Sequence, residues 1–111
     1  MAIDNPNVVD GIAIDNGQNA LIMLLTDHLL WTGDDALDEY THLMMLQEKI
    51  NAYISYFEAE QYKESYPSHV FSMAIIEVHF KYEISDNCEK FLNYVQGQVE
   101  SLRMKIEAHI G

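Results

Sequence analysis

Hydrophobic residues recur every three or four positions between Asp34 and about Gln61, and this spacing predicts one long amphipathic helix. Neither proline nor glycine interrupts the segment, so its backbone hydrogen bonds can run unbroken. We expect Asp34 or Asp35 to cap the first free amides, and the helix to end between Glu58 and Glu64. The apolar stripe predicted to face the core consists of Leu37, Tyr40, Leu43, Met44, Ile50, Tyr53, Ile54 and Phe57.

Stretches in which apolar and polar residues alternate, or in which nearly all residues are apolar, predict three β-strands. The first runs from Val8 to Asp15 and the second from about Asn19 to Thr26. Asn16-Gly17 between them is typical of a type I′ hairpin turn. The third strand runs from Val70 to Glu83. Because the second strand and the first half of the third are apolar on both faces, we expect them to be covered on both sides.

A second amphipathic helix is predicted to begin at Ser85 or Asp86 and to continue to Gly111. Glu89 stands three residues after Asp86, which gives a pattern like a capping box. The helix would bury the apolar positions Cys88, Phe91, Leu92, Val95, Val99, Leu102, Ile106 and Ile110. Residues 1–7 carry no such periodicity and are expected to be a flexible lead.

The predicted order of elements is ββαβα, which indicates a single α+β domain over residues 1–111. We favour a three-stranded, mainly antiparallel sheet in the order 2-1-3, with both long helices packed on one face. A mixed sheet in the order 1-2-3 is the alternative. The favoured order leaves Leu21 or Ile22, and Met73 or Ile75, on an uncovered face. Because an exposed apolar patch usually marks an interface, we expect a homodimer.

The charge of the chain is strongly acidic and unevenly distributed. Asp and Glu number 18 against six Lys and Arg, for a formal net charge of −12. Residues 1–48 contain nine acids and no Lys or Arg, whereas residues 49–111 contain nine acids and all six bases. This distribution argues against nucleic acid as a partner and is compatible with a basic protein partner. Plain solubility is the simpler explanation of the same charge.

The composition also limits where the protein works. A single cysteine, Cys88, excludes an internal disulfide. The longest apolar run, Ala20 to Leu25, is far too short to cross a bilayer, and the first residues lack the basic region of a secretion signal. A cytoplasmic location without membrane attachment is therefore predicted.

Two segments of the chain resemble a family of small bacterial proteins of unknown function. They are Asp27-His28-Leu29-Leu30-Trp31 and Leu46-Gln47-Glu48-Lys49-Ile50-Asn51-Ala52-Tyr53. The resemblance covers roughly residues 9–95. It implies no activity, cofactor or catalytic residue, because the family carries none that is established.

Polar residues near the start of the first helix form two candidate binding groups. Asp38 and His42 stand four positions apart and could share a divalent ion, although a salt bridge within the helix or simple solvation is the simpler interpretation. Asp27 and His28, close to Trp31, could line a small polar pocket. Their more ordinary role is to cap the turn that leads into the helix.

Two further candidates lie later in the chain. Glu77 and His79 project from the same face of the third strand, where cross-strand partners could complete a site. A solvated strand face explains them more simply. Cys88 stands near the start of the second helix, where the helix dipole lowers the pKa of a thiol. Burial as a small hydrophobic residue is the alternative that we favour.

The chain contains none of the common catalytic or nucleotide-binding motifs, including the P-loop, GxGxxG, GxSxG, HExxH and the EF-hand loop. Neither a cofactor nor a resident metal is predicted. The favoured hypothesis is therefore a non-enzymatic protein-interaction module with an acidic surface. The alternative is a small metal- or ligand-binding protein, or an enzyme, that uses His28, His42 or His79 with nearby carboxylates.

Overall fold

The structure, a computed structural model, describes residues 9–111. The predicted flexible lead over residues 1–7 lies outside this range. The fold is α+β, with two α-helices and a four-stranded sheet where three strands were predicted. The elements are β1 (Gly11–Asp15), β2 (Ala20–Asp27), α1 (Glu39–Glu58), β3 (Met73–Phe80), α2 (Asp86–Val99) and β4 (Met104–Ile110). Short 3₁₀ turns at Gln61–Glu64 and Glu100–Leu102 follow the two helices.

The sheet is mixed and has the strand order β1-β2-β3-β4. β1 pairs with β2 antiparallel, whereas β2 with β3 and β3 with β4 pair parallel. The favoured order 2-1-3 is therefore wrong, and the mixed alternative is found, extended by a fourth strand. Each helix carries the chain back so that the next strand lies beside the previous one, as in other β-α-β units. The two doubly apolar strands, β2 and β3, consequently occupy the inner positions.

The second helix ends much earlier than predicted. α2 begins after Ser85, whose hydroxyl accepts a hydrogen bond from the amide of Cys88, and it ends at Val99. Arg103 then adopts a left-handed conformation, with φ of 60°, and turns the chain into β4. The prediction failed because Ile106 and Ile110 lie four positions apart, which puts them on one face of a strand as well as of a helix.

The first helix has 20 residues, where 28 were predicted. Its N-cap is Asp38, whose carboxylate accepts a hydrogen bond from the amide of Thr41 at 3.2 Å. Asp34 and Asp35 belong to the preceding turn, so the predicted start is wrong. The helix ends at Glu58, at the near limit of the predicted range.

The buried side of α1 combines apolar and polar residues: His42, Leu46, Lys49, Ile50, Tyr53 and Phe57. The predicted stripe is confirmed at its last turns. It is wrong near the start, where Tyr40 is 70% exposed and Leu37 is 43% exposed. The helix is rotated relative to the prediction because His42 and Lys49 face inward. Lys49 pairs with the carboxylate of Asp10 at 2.9 Å.

Both helices pack on one face of the sheet. One buried cluster joins α1 and α2 to the residues of β2 and β3 that point to this face, among them Leu21, Met23 and Ile76. We call the opposite face of the sheet the outer face. It carries Ile22 and Leu24 of β2, which are half-buried. Within residues 9–111, neither helix is long and apolar enough to span a membrane.

The connection between β1 and β2 differs from the predicted two-residue turn. Four residues, 16–19, join the strands, because Asp15 pairs with Ala20. Asn19 takes the left-handed conformation, with φ of 52°. The carboxylate of Asp15 accepts a hydrogen bond from the amide of Gly17, which holds the turn closed. Asn19, whose short polar side chain tolerates the left-handed region, therefore adopts the positive φ that was expected at Asn16-Gly17.

Candidate functional site

The carboxyl ends of β2, β3 and β4 meet at one edge of the sheet, because these strands are parallel. Open α/β and related sheets commonly bind ligands at this edge. A pocket of about 350 Å³ lies there. Its walls come from the ends of all three strands and from the residues just after them: Thr26, Asp27, His28, His79, Phe80, Lys81, His109, Ile110 and Gly111.

Behind the pocket, Asp27 and His42 form a pair that is almost fully shielded from solvent. Oδ2 of Asp27 lies 2.7 Å from Nε2 of His42, and the two residues are 1% and 0% exposed. Oδ1 of Asp27 accepts a hydrogen bond from the amide of Leu29, so this carboxylate also holds the turn after β2. The indole of Trp31 stacks on the imidazole of His42, with 3.4 Å between ring centroids.

The predicted pairing of Asp38 with His42 is therefore wrong. Asp38 caps α1 through its side chain, while the imidazole of His42 turns inward to Asp27. The predicted capping role of Asp27 is confirmed by its bond to Leu29. His28 does not share that role and instead lines the pocket.

Three ring nitrogens in this region are buried without a hydrogen-bond partner among the described residues: Nδ1 of His28, Nε1 of Trp31 and Nδ1 of His42. Buried polar atoms are usually satisfied in folded proteins. The interior behind the pocket therefore holds unused hydrogen-bonding capacity.

On the outer face of the sheet, a square of four polar side chains adjoins the same pocket. The parallel register places Glu77 opposite Glu107 and His79 opposite His109. Glu77 contacts His79 at 3.1 Å, and Glu107 contacts His109 at 3.6 Å. The two imidazoles stack with 4.8 Å between their centroids. The sequence prediction included Glu77 and His79 but missed their partners, because it placed residues 104–110 in a helix.

Seven carboxylates surround the N-termini of the two helices, which lie at the same end of the sheet as the pocket. We call this group the acidic edge: Asp34, Asp35, Asp38, Glu39, Glu83, Asp86 and Glu89. The two helix starts are joined, since Oε1 of Glu39 accepts a hydrogen bond from Nδ2 of Asn87 at 2.8 Å. Hydrogen bonds from Ser85 and from Asn87 lower the pKa of Glu39 below its ordinary value.

A groove of about 540 Å³ separates α2 from β4 and opens onto the acidic edge. Its apolar wall includes Leu92, Ile106 and Ile110, and Ile110 is 49% exposed. Its acidic wall consists of Glu83, Asp86 and Glu89. None of the residues that line it is Lys or Arg. The groove therefore offers an apolar surface framed by negative charge.

Cys88 is not suited to nucleophilic chemistry. Its side chain is fully buried, and burial raises the pKa of the thiol to about 12. The thiolate is the reactive form, so a raised pKa keeps the group inert at neutral pH. The preferred interpretation of Cys88 as a small buried hydrophobic residue is confirmed.

The sheet is mixed, two helices pack on one of its faces, and the acidic edge lies at one end. These features define a small α+β protein whose candidate site residues are carboxylates and histidines. The chain belongs to a protein family of unknown function, DUF6572, and the family model matches residues 1–111. A search among curated proteins and a search among solved structures found no match. The predicted resemblance to a family of unknown function is confirmed at that level.

Proposed function

We propose that the protein is a non-enzymatic interaction module that binds an extended, basic segment of another protein in the groove between α2 and β4. The observation that carries the proposal is the position of Glu83, Asp86 and Glu89. They line one wall of an apolar groove that runs beside the outer edge of β4.

Electrostatics favours a basic occupant. The chain carries −12 overall, and the seven carboxylates of the acidic edge are concentrated at one end of the molecule. A surface with charge of one sign accelerates association with an oppositely charged partner and rejects partners of like charge. Residues 9–48 and 81–90, which include the whole acidic edge, contain only two Lys or Arg residues, Lys81 and Lys90. Their two positive charges offset the field of the acidic edge only in part.

The backbone of β4 gives the groove a second binding element. β4 is an edge strand, and its outward amides alternate along the chain. Gln96 already binds one of them, since its Oε1 accepts a hydrogen bond from the amide of Ile106 at 2.7 Å. The amide of Ala108 points in the same direction by this alternation. A segment in β conformation can therefore add as a fifth strand and place an apolar side chain against Ile106 and Ile110.

A second copy of the chain fits this groove less well than a basic partner. A second copy would bring its own net charge of −12 to a groove whose lining residues include three carboxylates and no Lys or Arg. Like charges at an interface oppose association. The charge of the groove therefore selects a different protein.

Peptides of defined charge test the proposal directly. The first probe is a short fluorescein-labelled peptide in which Lys and Val alternate, and its acidic counterpart carries Glu in place of Lys. A third peptide keeps the alternation of Lys and Val on both sides of a central proline, and the proline prevents strand pairing. Fluorescence anisotropy is expected to detect binding of the first peptide alone, with affinity that falls as salt increases.

Matched variants localise the binding. Combined Glu83→Gln, Asp86→Asn and Glu89→Gln is expected to weaken binding by about tenfold, because three exposed pairs worth roughly 0.5 kcal/mol each sum to about 1.4 kcal/mol. The control removes three exposed carboxylates elsewhere, through Glu48→Gln, Glu58→Gln and Glu64→Gln. Equal weakening by both sets, equal binding of all three peptides, or no binding at all would each reject the groove as the binding site.

The predicted alternative was a metal- or ligand-binding protein, or an enzyme, that uses His28, His42 or His79 with nearby carboxylates. His42 is paired with Asp27 in the interior, whereas His28 and His79 line the pocket.

A further inference from the structure

We propose that Glu77, His79 and His109 bind a divalent transition-metal ion of the zinc class on the outer face of the sheet. The proposal is independent of the groove between α2 and β4. It rests on the register of β3 and β4, which brings together two imidazoles and a carboxylate from positions far apart in the chain.

The spacing of the ligand atoms is close to what such an ion requires. One ligand atom from each of the three residues can be chosen so that all lie within 4.8 Å of one another. Ligand atoms at about 2.0–2.1 Å from a tetrahedral zinc ion are separated by roughly 3.4 Å. The required contraction is therefore at most about 1.5 Å between the most distant pair.

The side chains have the freedom to make this adjustment, while their backbones are fixed. His79 and His109 are 44% and 49% exposed at the side chain, so rotation about their side-chain bonds meets little obstruction. Both residues belong to paired strands, and Val78 next to His79 is fully buried. Because the strands fix the backbone, only side-chain freedom is lost when the ion binds.

The type of ligand selects the type of ion. Imidazole with carboxylate suits zinc, copper or nickel, whereas magnesium and calcium prefer sites made of oxygen ligands alone. Three protein ligands leave one position open in a tetrahedral site. The 350 Å³ pocket adjoins the proposed site, because His79 and His109 also line the pocket.

Two neighbouring side chains influence the affinity of the proposed site for the metal ion. Glu107 contacts His109 at 3.6 Å and can hold its ring in orientation, as carboxylates often do for histidine ligands. Lys105 contacts the other oxygen of Glu107 at 3.2 Å and so competes for that carboxylate. Glu107 is accordingly assigned to a positioning role, outside the three ligands.

Calorimetric titration of zinc into untagged, chelator-treated protein tests the proposal. One ion per chain is expected to bind, and millimolar magnesium or calcium is not expected to displace it. Removal of a partner outside the coordination sphere can already cost tenfold or more in affinity, so His79→Ala and His109→Ala are each expected to cost at least about tenfold. The matched control is His69→Asn, because His69 lies apart from the site and bonds to Asn19.

Cobalt substitution and NMR give readouts that a merely structural role would not produce. Bound Co²⁺ is expected to show the intense visible absorption of a four-coordinate site. Zinc is expected to shift the NMR signals of the ring protons of His79 and His109 but not those of His42. Circular dichroism establishes that each variant is folded. Zinc binding that survives the double variant His79→Ala/His109→Ala, or the absence of binding at micromolar zinc, would overturn the proposal.

Discussion

Asp27 at the end of β2 and His42 in the second turn of α1 form a buried pair, with Oδ2 and Nε2 2.7 Å apart. The pair joins the start of the first helix to the end of β2, because each residue belongs to one of the two elements. Trp31 in the connecting turn closes over it and stacks on the imidazole.

Loss of either member of this pair is expected to destabilise the protein strongly. Removal of one partner leaves the other buried without its hydrogen bond, which typically costs about 1–3 kcal/mol and more for a charged group. We therefore expect Asp27→Ala and His42→Ala each to lower the free energy of unfolding by that amount in urea titrations. The exposed Asp34 is the control, and Asp34→Ala is expected to change it by less than about 0.5 kcal/mol. A loss below about 1 kcal/mol for Asp27→Ala would contradict the assignment.

The N-cap of α1 is tested by a second pair of variants. Asp38→Ala is expected to lower the free energy of unfolding by about 1 kcal/mol, because the amide of Thr41 loses its acceptor. Asp35→Ala removes a carboxylate of the preceding turn and is expected to leave stability unchanged. Both are measured by urea unfolding at neutral pH. The opposite ranking would move the helix start back to the position that the sequence suggested.

Alkaline pH is expected to weaken the fold through Cys88. Burial raises the pKa of the thiol from 9.0 to about 12, so between these values the unfolded chain binds fewer protons than the folded chain. Stability is therefore intact below about pH 9 and falls as the pH rises towards 12. Burial also raises the pKa of Tyr53, which acts in the same direction above pH 10.

Urea unfolding as a function of pH separates the two contributions. The Cys88→Ala variant lacks the thiol but keeps Tyr53, so the stability difference between the two proteins should shrink as pH rises from 8.5 to 10.5. A thiol reagent should also label native Cys88 slowly at pH 8 and rapidly in urea. Fast labelling of the native protein would show that the thiol is accessible.

The homodimer that the sequence suggested stays a prediction. A dimer through the outer face would bury Ile22, Leu24 and Met73, which are half-buried in the described chain. Sedimentation at micromolar concentration is expected to give twice the 12.8 kDa of one chain. Ile22→Lys should then give monomers, whereas Tyr94→Lys on the exposed side of α2 should not. A 12.8 kDa species for the unmodified protein would contradict the dimer.

The sequence predicted the two helices and the first three strands, because their patterns are long and regular. It failed where polar residues are buried. His42 and Lys49 interrupt the apolar stripe of α1, and only the structure reveals that they pair with Asp27 and Asp10. These two acids also contributed to the predicted acidic surface, although both make internal contacts. The exposed part of that surface is therefore smaller than the count over residues 1–48 suggested.

The fourth strand was missed for a different reason. Residues 104–110 alternate between Met104, Ile106 and Ile110 on one side and charged residues or histidine on the other. That period of two was available in the sequence, but the four-residue spacing of Ile106 and Ile110 also continued the stripe of α2. Because His109 belongs to this strand, the pairing of His79 with His109 was lost with it.

The parallel pairings have a consequence for how the protein folds. Ala20 pairs with Met73, 53 positions further along the chain, whereas Asp15 and Ala20 pair across a short turn. Contacts between distant positions require large loops to close first, which slows folding. The hairpin of β1 and β2 is therefore expected to assemble early. Docking of β3 beside β2 would set the refolding rate, and core substitutions in β3 should slow refolding more than those in β1.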